Sequence, residues 1–231
     1  MATRLQWFWR GYAVVYDHIW DSPLTRAALT TALRDLGPAG VAVDLGCGTG
    51  LSAAPLVRAG WTVVGVDASL PMLDRARAAG RITRGIPADA AATGLDHATA
   101  DAVVIANLLH LHPDPVAVLD EARRIVRPGG VIVCLWPAAT ATFTRALAAD
   151  VAYGRPWPSA LGAAILRMVV GLAGAPVNAR QLSAAAVADT LQRWLADGSW
   201  HPTQGSATEL QDFVRLRTNI IASRTAGVLP T

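Results

Sequence analysis

The 231-residue chain contains no lysine and only two cysteines, and charged side chains make up just 16% of it. Without lysine there is no tyrosine–lysine pair of the kind expected in a nicotinamide-dependent oxidoreductase. Cys47 and Cys134 sit in apolar or glycine-rich strand contexts and form neither a disulfide framework nor a zinc spacing, so no metal is expected. A reduced, cytoplasmic setting fits them. The first twenty residues lack an uninterrupted apolar run, which argues against a signal peptide. The most membrane-like stretch, Ala160–Val177, is broken by Arg167, three glycines and a proline, and is shorter than the ~20 apolar residues of a span. It reads as a buried or lid helix, with interfacial membrane contact as the alternative; stable insertion is not expected. The net charge of +3 is carried by scattered arginines, so no nucleic-acid partner is expected.

What the chain has is apolar content: 52% hydrophobic, enough for a sizeable core in one domain. Residues 4–36 have helical periodicity, with Trp7, Trp9, Tyr12, Tyr16 and Trp20 three to four apart and a break at Asp21-Ser22-Pro23. Strands are predicted at 41–45, 62–66, 81–86, 101–106 and 131–136, alternating with helices at 51–59, 70–79 and 115–126. That rhythm indicates a parallel α/β sheet. After Trp136 the rhythm breaks into extra helices over 138–176 with a turn at 154–158. A helix over 183–196 capped by Ser183 follows, with closing strands at 200–204 and 219–224. The expectation is a Rossmann-like, mostly parallel seven-stranded sheet with helices on both faces and a helical cap. The single domain divides into an N-terminal cap (1–37), a core (38–137), an insertion (138–180) and a closing segment (181–231).

The segment Val41-Ala-Val-Asp-Leu-Gly-Cys-Gly-Thr-Gly50 lies between a predicted strand and a predicted helix. Such a loop falls where an open α/β sheet binds ligands, beside the positive end of a helix. Its spacing is Gly-x-Gly-x-Gly, not the Gly-x-Gly-x-x-Gly of dinucleotide binders. Asp44, two residues ahead of Gly46, would repel a pyrophosphate but suits an α-ammonium; capping the next helix is its other reading. Asp67 ends the second strand, where a carboxylate accepts ribose hydroxyls or else caps the following helix.

These stretches, with VVGVDASLPMLDRAR, PADA, DAVVIANLLHLHPDP and LDEARRIVRPGGVIV, resemble class I S-adenosylmethionine (SAM)-dependent methyltransferases, especially the ubiquinone/menaquinone-type small-molecule branch. Asp89-Ala90 stands twelve residues before Asp101, as in that family. The resemblance implies SAM as cofactor and a small-molecule methyl acceptor as partner, with a homodimer left open. Asp44, Gly46, Cys47 (by its backbone) and Gly48 would line the methionine end and Asp67 the ribose. Ala68, Met72 and Ala90 would pack on adenine, and Asp89 would accept from its amine. Asn107 and Leu108 would flank the sulfonium. Met72 also reads as plain helix core.

His110 and His112 follow the fourth strand and are the candidates for a general base or acceptor ligand; a loop with solvent or backbone partners is the alternative. Of the two, only His110 matches the family pattern. Tyr12 and Tyr16 suit either a helix folded over the cofactor or aromatic packing. Phe143, Tyr153, Trp157, Leu161, Ile165 and Met168 in the insertion suggest a hydrophobic or aromatic acceptor, and the Ala/Arg-rich composition suggests bacterial secondary metabolism. The competing functions are a SAM-binding protein without methyl transfer (a cyclase or regulator) and a lipid methyltransferase at a membrane surface.

Overall fold

The computed structural model describes residues 12–13, 15–139, 142–174, 182–196, 198–208 and 210–218, without the side chains of 170–174, 204 and 218. Trp7, Trp9 and residues 219–224 lie outside them. Helix α1 (12–13 and 15–20) leads into α2 (Pro23–Leu33), β1 (Val41–Leu45), α3 (Ala54–Arg58) and β2 (Thr62–Val66). Next come α4 (Leu70–Ala78), β3 (Arg84–Ile86), β4 (Ala100–Ala106), α5 (Pro115–Ile125) and β5 (Val126–Pro137). The cap helices α6 (Phe143–Ala152) and α7 (Trp157–Gly174) precede α8 (Ala184–Trp194), β6 (Trp200–Thr208) and β7 (Gln211–Thr218).

Local chemistry sets these boundaries. The Ser22 hydroxyl accepts from Thr25 N–H at 3.2 Å with Pro23 in the first turn, which separates α2 from α1. Asp114 with Pro115 does the same for α5, and Ser183 caps α8 as its position suggested. The helix after the glycine loop starts at Ala54, later than Leu51, because Gly50 is left-handed (φ +79°) and 51–53 form a turn.

The seven strands lie in the order β3-β2-β1-β4-β5-β7-β6. The first five are parallel; β7 runs antiparallel to β5 and β6. Because both faces are covered, the central strands are mostly apolar, with Asp44 in β1 and Asp101 in β4 as exceptions. Val131, Val133 and Leu135 of β5 face a core shared with α2, α3 and α4, whereas Ile132, Cys134 and Trp136 face one shared with α5 and α8.

The second closing strand described is β7 at 211–218; the strand expected at 219–224 lies outside the described residues. β7 hides a charge on an inner face: the Arg215 guanidinium donates to the carbonyls of Thr31 (2.7 Å) and Ala32 (2.8 Å) at the end of α2. An apolar alternation search passes over such a strand.

Candidate functional site

The order of the sheet reverses between β1 and β4, and ligands bind at the carboxyl edge of such a switch point. The loop after β1 is seated there. Gly46 and Cys47 both donate their backbone N–H to Val66 O, at 2.8 and 3.0 Å. Gly46 (φ +68°) has no room for a side chain, since a Cβ would stand 2.8 Å from Leu108 Cδ1. The Cys47 side chain turns into the core and burial pushes its thiol pKa up, so only its backbone faces the loop.

Two carboxylates flank this loop. Asp44 is fully buried; its Oδ2 accepts from Ser52 Oγ at 2.6 Å and its Oδ1 has no partner. Burial pushes its pKa up to about 7, against the Ser52 hydrogen bond and with help from the charge of Asp67. A cation arriving at Oδ1 would find a carboxylate with one lobe open. Asp67 Oδ2 accepts from Gly48 N–H and Oδ1 from Ser69 N–H, both at 2.8 Å, so Asp67 ties the loop to β2. The cap position of α4 is Ser69, whose side chain makes no capping bond.

Helix α1 lies across the loop. A Cβ on Gly48 would sit 3.9 Å from the Tyr16 ring carbon Cζ and hydroxyl. Burial and the nearby carboxylates of Asp67, Asp17 and Asp44 raise the Tyr16 phenol pKa. Tyr12 stacks edge-on against Tyr16 (5.2 Å between centroids), and its hydroxyl accepts from Trp20 Nε1. Asp17 fixes this arrangement, accepting from Thr49 Oγ (2.5 Å) and Arg81 Nη1 (2.8 Å). Arg81 also donates to Thr49 O (3.1 Å). Asp17, Ser52 and Arg81 belong to no motif and Thr49 had no role assigned within its own, because each acts through a partner 8 to 64 residues away.

The segment after β4 brings the remaining candidates to the same edge. Asn107 adopts φ +55°, a conformation Asn tolerates, and its Oδ1 accepts from Gln211 Nε2 at 3.3 Å. Leu108 packs on Gly46. His110 is 7% exposed, and its Nδ1 is buried without a partner. His112 differs: Nε2 meets Asp89 Oδ1 at 3.1 Å and Nδ1 lies 2.8 Å from Asp114 O, so both ring nitrogens are engaged within the protein. Asp89 Oδ1 also accepts from Ala91 N–H. Met72 and Ala90 are buried and Ala68 is exposed.

The cap joins α1 through a buried charge cluster that the sequence did not suggest. Asp150, fully buried, pairs with Arg155 (3.2 Å) and Arg167 (2.8 Å). Both arginines also donate to Ile19 O, and Arg155 to His18 O, at the carboxyl end of α1, where cations are favoured. Arg167 lies 5.0 Å over the Trp20 ring. The large apolar side chains of the cap point elsewhere. Trp157 is 57% exposed and Met168 52%, with Phe143, Tyr153 and Ile165 also on the outside. Five of the six residues expected to line an acceptor pocket therefore face outward.

The buried polar atoms without partners among the described residues belong to Asp44, His110, Gln211, Asp150 and Arg167. The first three stand at or beyond strand ends on the carboxyl edge, and the last two form the cap's joint. Unsatisfied groups are rare in folded proteins, and such clustering marks a place where ligands complete the bonding.

The methyltransferase-domain family matches residues 43–134. Trans-aconitate 2-methyltransferase of Methylobacterium radiotolerans is 31% identical over 205 residues, 87% of this chain and 76% of that protein. The chain belongs to the SAM-dependent methyltransferases. The methyltransferase is also 35% identical to ubiquinone biosynthesis O-methyltransferase of Dinoroseobacter shibae, over 104 residues covering 40% of this chain and 39% of that protein. Among solved structures, the DhpI–SAH complex matches its fold over 94% of this chain and 96% of the other, with a TM-score of 0.61 at 19% identity. The cofactor of this methyltransferase is SAM, and the open oxygen of Asp44 fits the ammonium that SAM carries.

Proposed function

We propose that the enzyme methylates a small-molecule acceptor seated beyond the carboxyl ends of β4 and β5, with SAM held between the glycine loop and α1. SAM supplies a methyl group already activated on a sulfonium, so the protein's task is chiefly placement. Asp44 Oδ1 pairs with the ammonium, and the glycine loop lets the backbone approach the methionine end. Asp67 keeps lone pairs for the ribose hydroxyls while its backbone bonds hold it rigid. Ala68, Met72 and Ala90 border the adenine, Asp89 accepts from its amine, and Tyr12 and Tyr16 roof the site. Asn107 and Leu108 stand at the methyl-transfer point. His110 is the acceptor-side group: burial lowers its pKa to about 4, so it is neutral at physiological pH and a better hydrogen-bond partner than base.

The observation that carries this reading is the buried carboxylate of Asp44 with one oxygen unpartnered beside the glycine loop. The acceptor's small size is supported by the names of two relatives, which act on trans-aconitate and in ubiquinone biosynthesis. A hydrophobic or aromatic acceptor in secondary metabolism is the sequence's finer expectation, and the cap side chains that suggested it are exposed. Calorimetry with S-adenosylhomocysteine (SAH) on the wild type and Asp44→Asn tests the cofactor site. SAH release across an acceptor panel then separates transfer from mere binding: a protein that binds SAM but never yields SAH is not a methyltransferase.

A second reading has one observation in its favour. The outer face of α6 and α7 exposes Phe143, Trp157, Ile165, Met168 and Val169, which suits methylation of a lipid at a membrane surface. No helix among the described residues is long and apolar enough to cross a membrane. Co-sedimentation with liposomes, lost in Trp157→Ser/Met168→Ser, would support it.

A further inference from the structure

A cavity of about 310 Å³ opens on the carboxyl edge of the sheet, beyond the ends of β4 and β5. Three pieces of chain enclose it: His110 after β4, Pro137–Ala139 at the end of β5, and Leu182–Ala185 leading into α8. Among the described residues, no side chain of aspartate, glutamate or arginine lines it. Its volume lies at the small end of the ~300–1,000 Å³ typical of ligand pockets.

Two independent features give it a preference for negative charge. The first is α8, an eleven-residue helix whose amino end forms one wall. Ser183 Oγ accepts from Ala186 N–H and Ser183 O from Val187 N–H, leaving the N–H groups of Ala184 and Ala185 without a partner among the described residues. The first turn of α8 holds no acid, so its positive end is not neutralised from within the helix.

The second feature is His110. The ring is 7% exposed and its Nδ1 has no hydrogen-bond partner, although a buried polar atom normally has one. The loop itself is fixed, because His110 O accepts from Leu182 N–H at 2.9 Å, which ties it to the start of α8. His110 also lines the cavity.

We propose that this cavity seats a carboxylate of the methyl acceptor, held by the N–H groups of Ala184 and Ala185 and by the imidazole of His110. The assignment rests on the acceptor-side reading above and narrows it to organic acids. A neutral imidazole donates one N–H to the carboxylate without first burying a cation. Once the carboxylate is present, its charge favours protonation of the ring, so binding takes up a proton near neutral pH.

The test uses the full chain saturated with SAH and four acids (acetate, succinate, tricarballylate and benzoate), each against its primary amide. Calorimetry reads affinity, and NMR of the histidine rings reads contact with His110. At least one acid should bind tenfold or more tightly than its amide, with a saturable shift of the His110 ring signal and proton uptake. His110→Phe keeps the ring volume and should lose at least tenfold in that affinity; His110→Asn, which keeps a donor, should recover part of it. Ala185→Asp should abolish acid binding without lowering Tm, since an acid in the first turn favours the helix while repelling the ligand. Equal binding of acid and amide, or undiminished acid binding in both His110→Phe and Ala185→Asp, would overturn the assignment. So would the absence of any ring shift. SAH binding in the same samples reports separately on the cofactor site: if the wild type binds no SAH, the methyltransferase reading itself fails.

Discussion

Ser52 Oγ donates to one oxygen of Asp44 at 2.6 Å, while the other oxygen of the same carboxylate is buried with no partner at all. Burial raises the Asp44 pKa to about 7, so near neutral pH the group is poised between its two forms. An ammonium at the open oxygen favours the ionised form. SAH affinity should therefore be highest above pH 7 and fall by up to about tenfold per pH unit below it. Binding near pH 7 should release protons, which calorimetry in buffers of different ionisation heat detects. Affinity independent of pH from 5.5 to 8 would mean that Asp44 does not meet the ammonium.

Removing this charge should help the empty protein and harm the loaded one. The folded-state pKa of Asp44 lies above its unfolded value of 3.8. Stability from this group is thus fully present below the unfolded value and is lost as pH rises through about 7. Asp44→Asn should match the wild type in stability near pH 4 and exceed it increasingly up to pH 8, by at most on the order of 4 kcal/mol, read from thermal melts across pH. His110 titrates in the opposite sense, its pKa lowered to about 4, but it does so in both proteins and cancels in the difference. The same variant should lose about 100-fold in SAH affinity.

Gly46→Ala should abolish SAH binding and destabilise the protein by about 2 kcal/mol or more, because position 46 needs φ +68° and an added Cβ would meet Leu108 at 2.8 Å. Leu108→Ala in the same chain makes room but leaves the backbone strain, so it should restore only part of the stability. Thermal melts of the wild type and the two variants decide this.

Arg81→Met should free α1 from the glycine loop. Arg81 reaches Asp17, Asp21 and Thr49 O, at 2.8, 3.4 and 3.1 Å. We expect about tenfold weaker SAH binding with faster hydrogen exchange over residues 12–20 and little change in the central strands. Uniformly faster exchange would show a general loss of stability.

Asp150→Asn leaves two arginines facing each other without their shared anion. The expected cost is about 3–5 kcal/mol, the range for breaking a buried ion pair from one side. Replacing Arg155 and Arg167 by Met as well should return much of it, as measured by urea unfolding.

How much of this was legible beforehand depended on how local each signal is. The alternation of strands and helices, the break at Pro23, the Ser183 cap and the glycine spacing are all carried by neighbours in sequence, and each led to an element in its place. β7 was passed over because Arg215 finds its partners at Thr31 and Ala32, far back in the chain. The same holds for the site. Asp44, Gly46 and Asp67 announce themselves within motifs, whereas Asp17, Arg81 and Asp150 acquire meaning only when distant segments meet. Hydrophobicity proved a poor guide in the cap: it marked Trp157 and Met168 as apolar without saying which way they face.

The paired guanidiniums that clasp the last carbonyls of α1 have a mechanical corollary. Two elements bolted together open as one, so amide hydrogens of α1 and of the cap helices should exchange in step, and Arg155→Met/Arg167→Met should let them exchange independently.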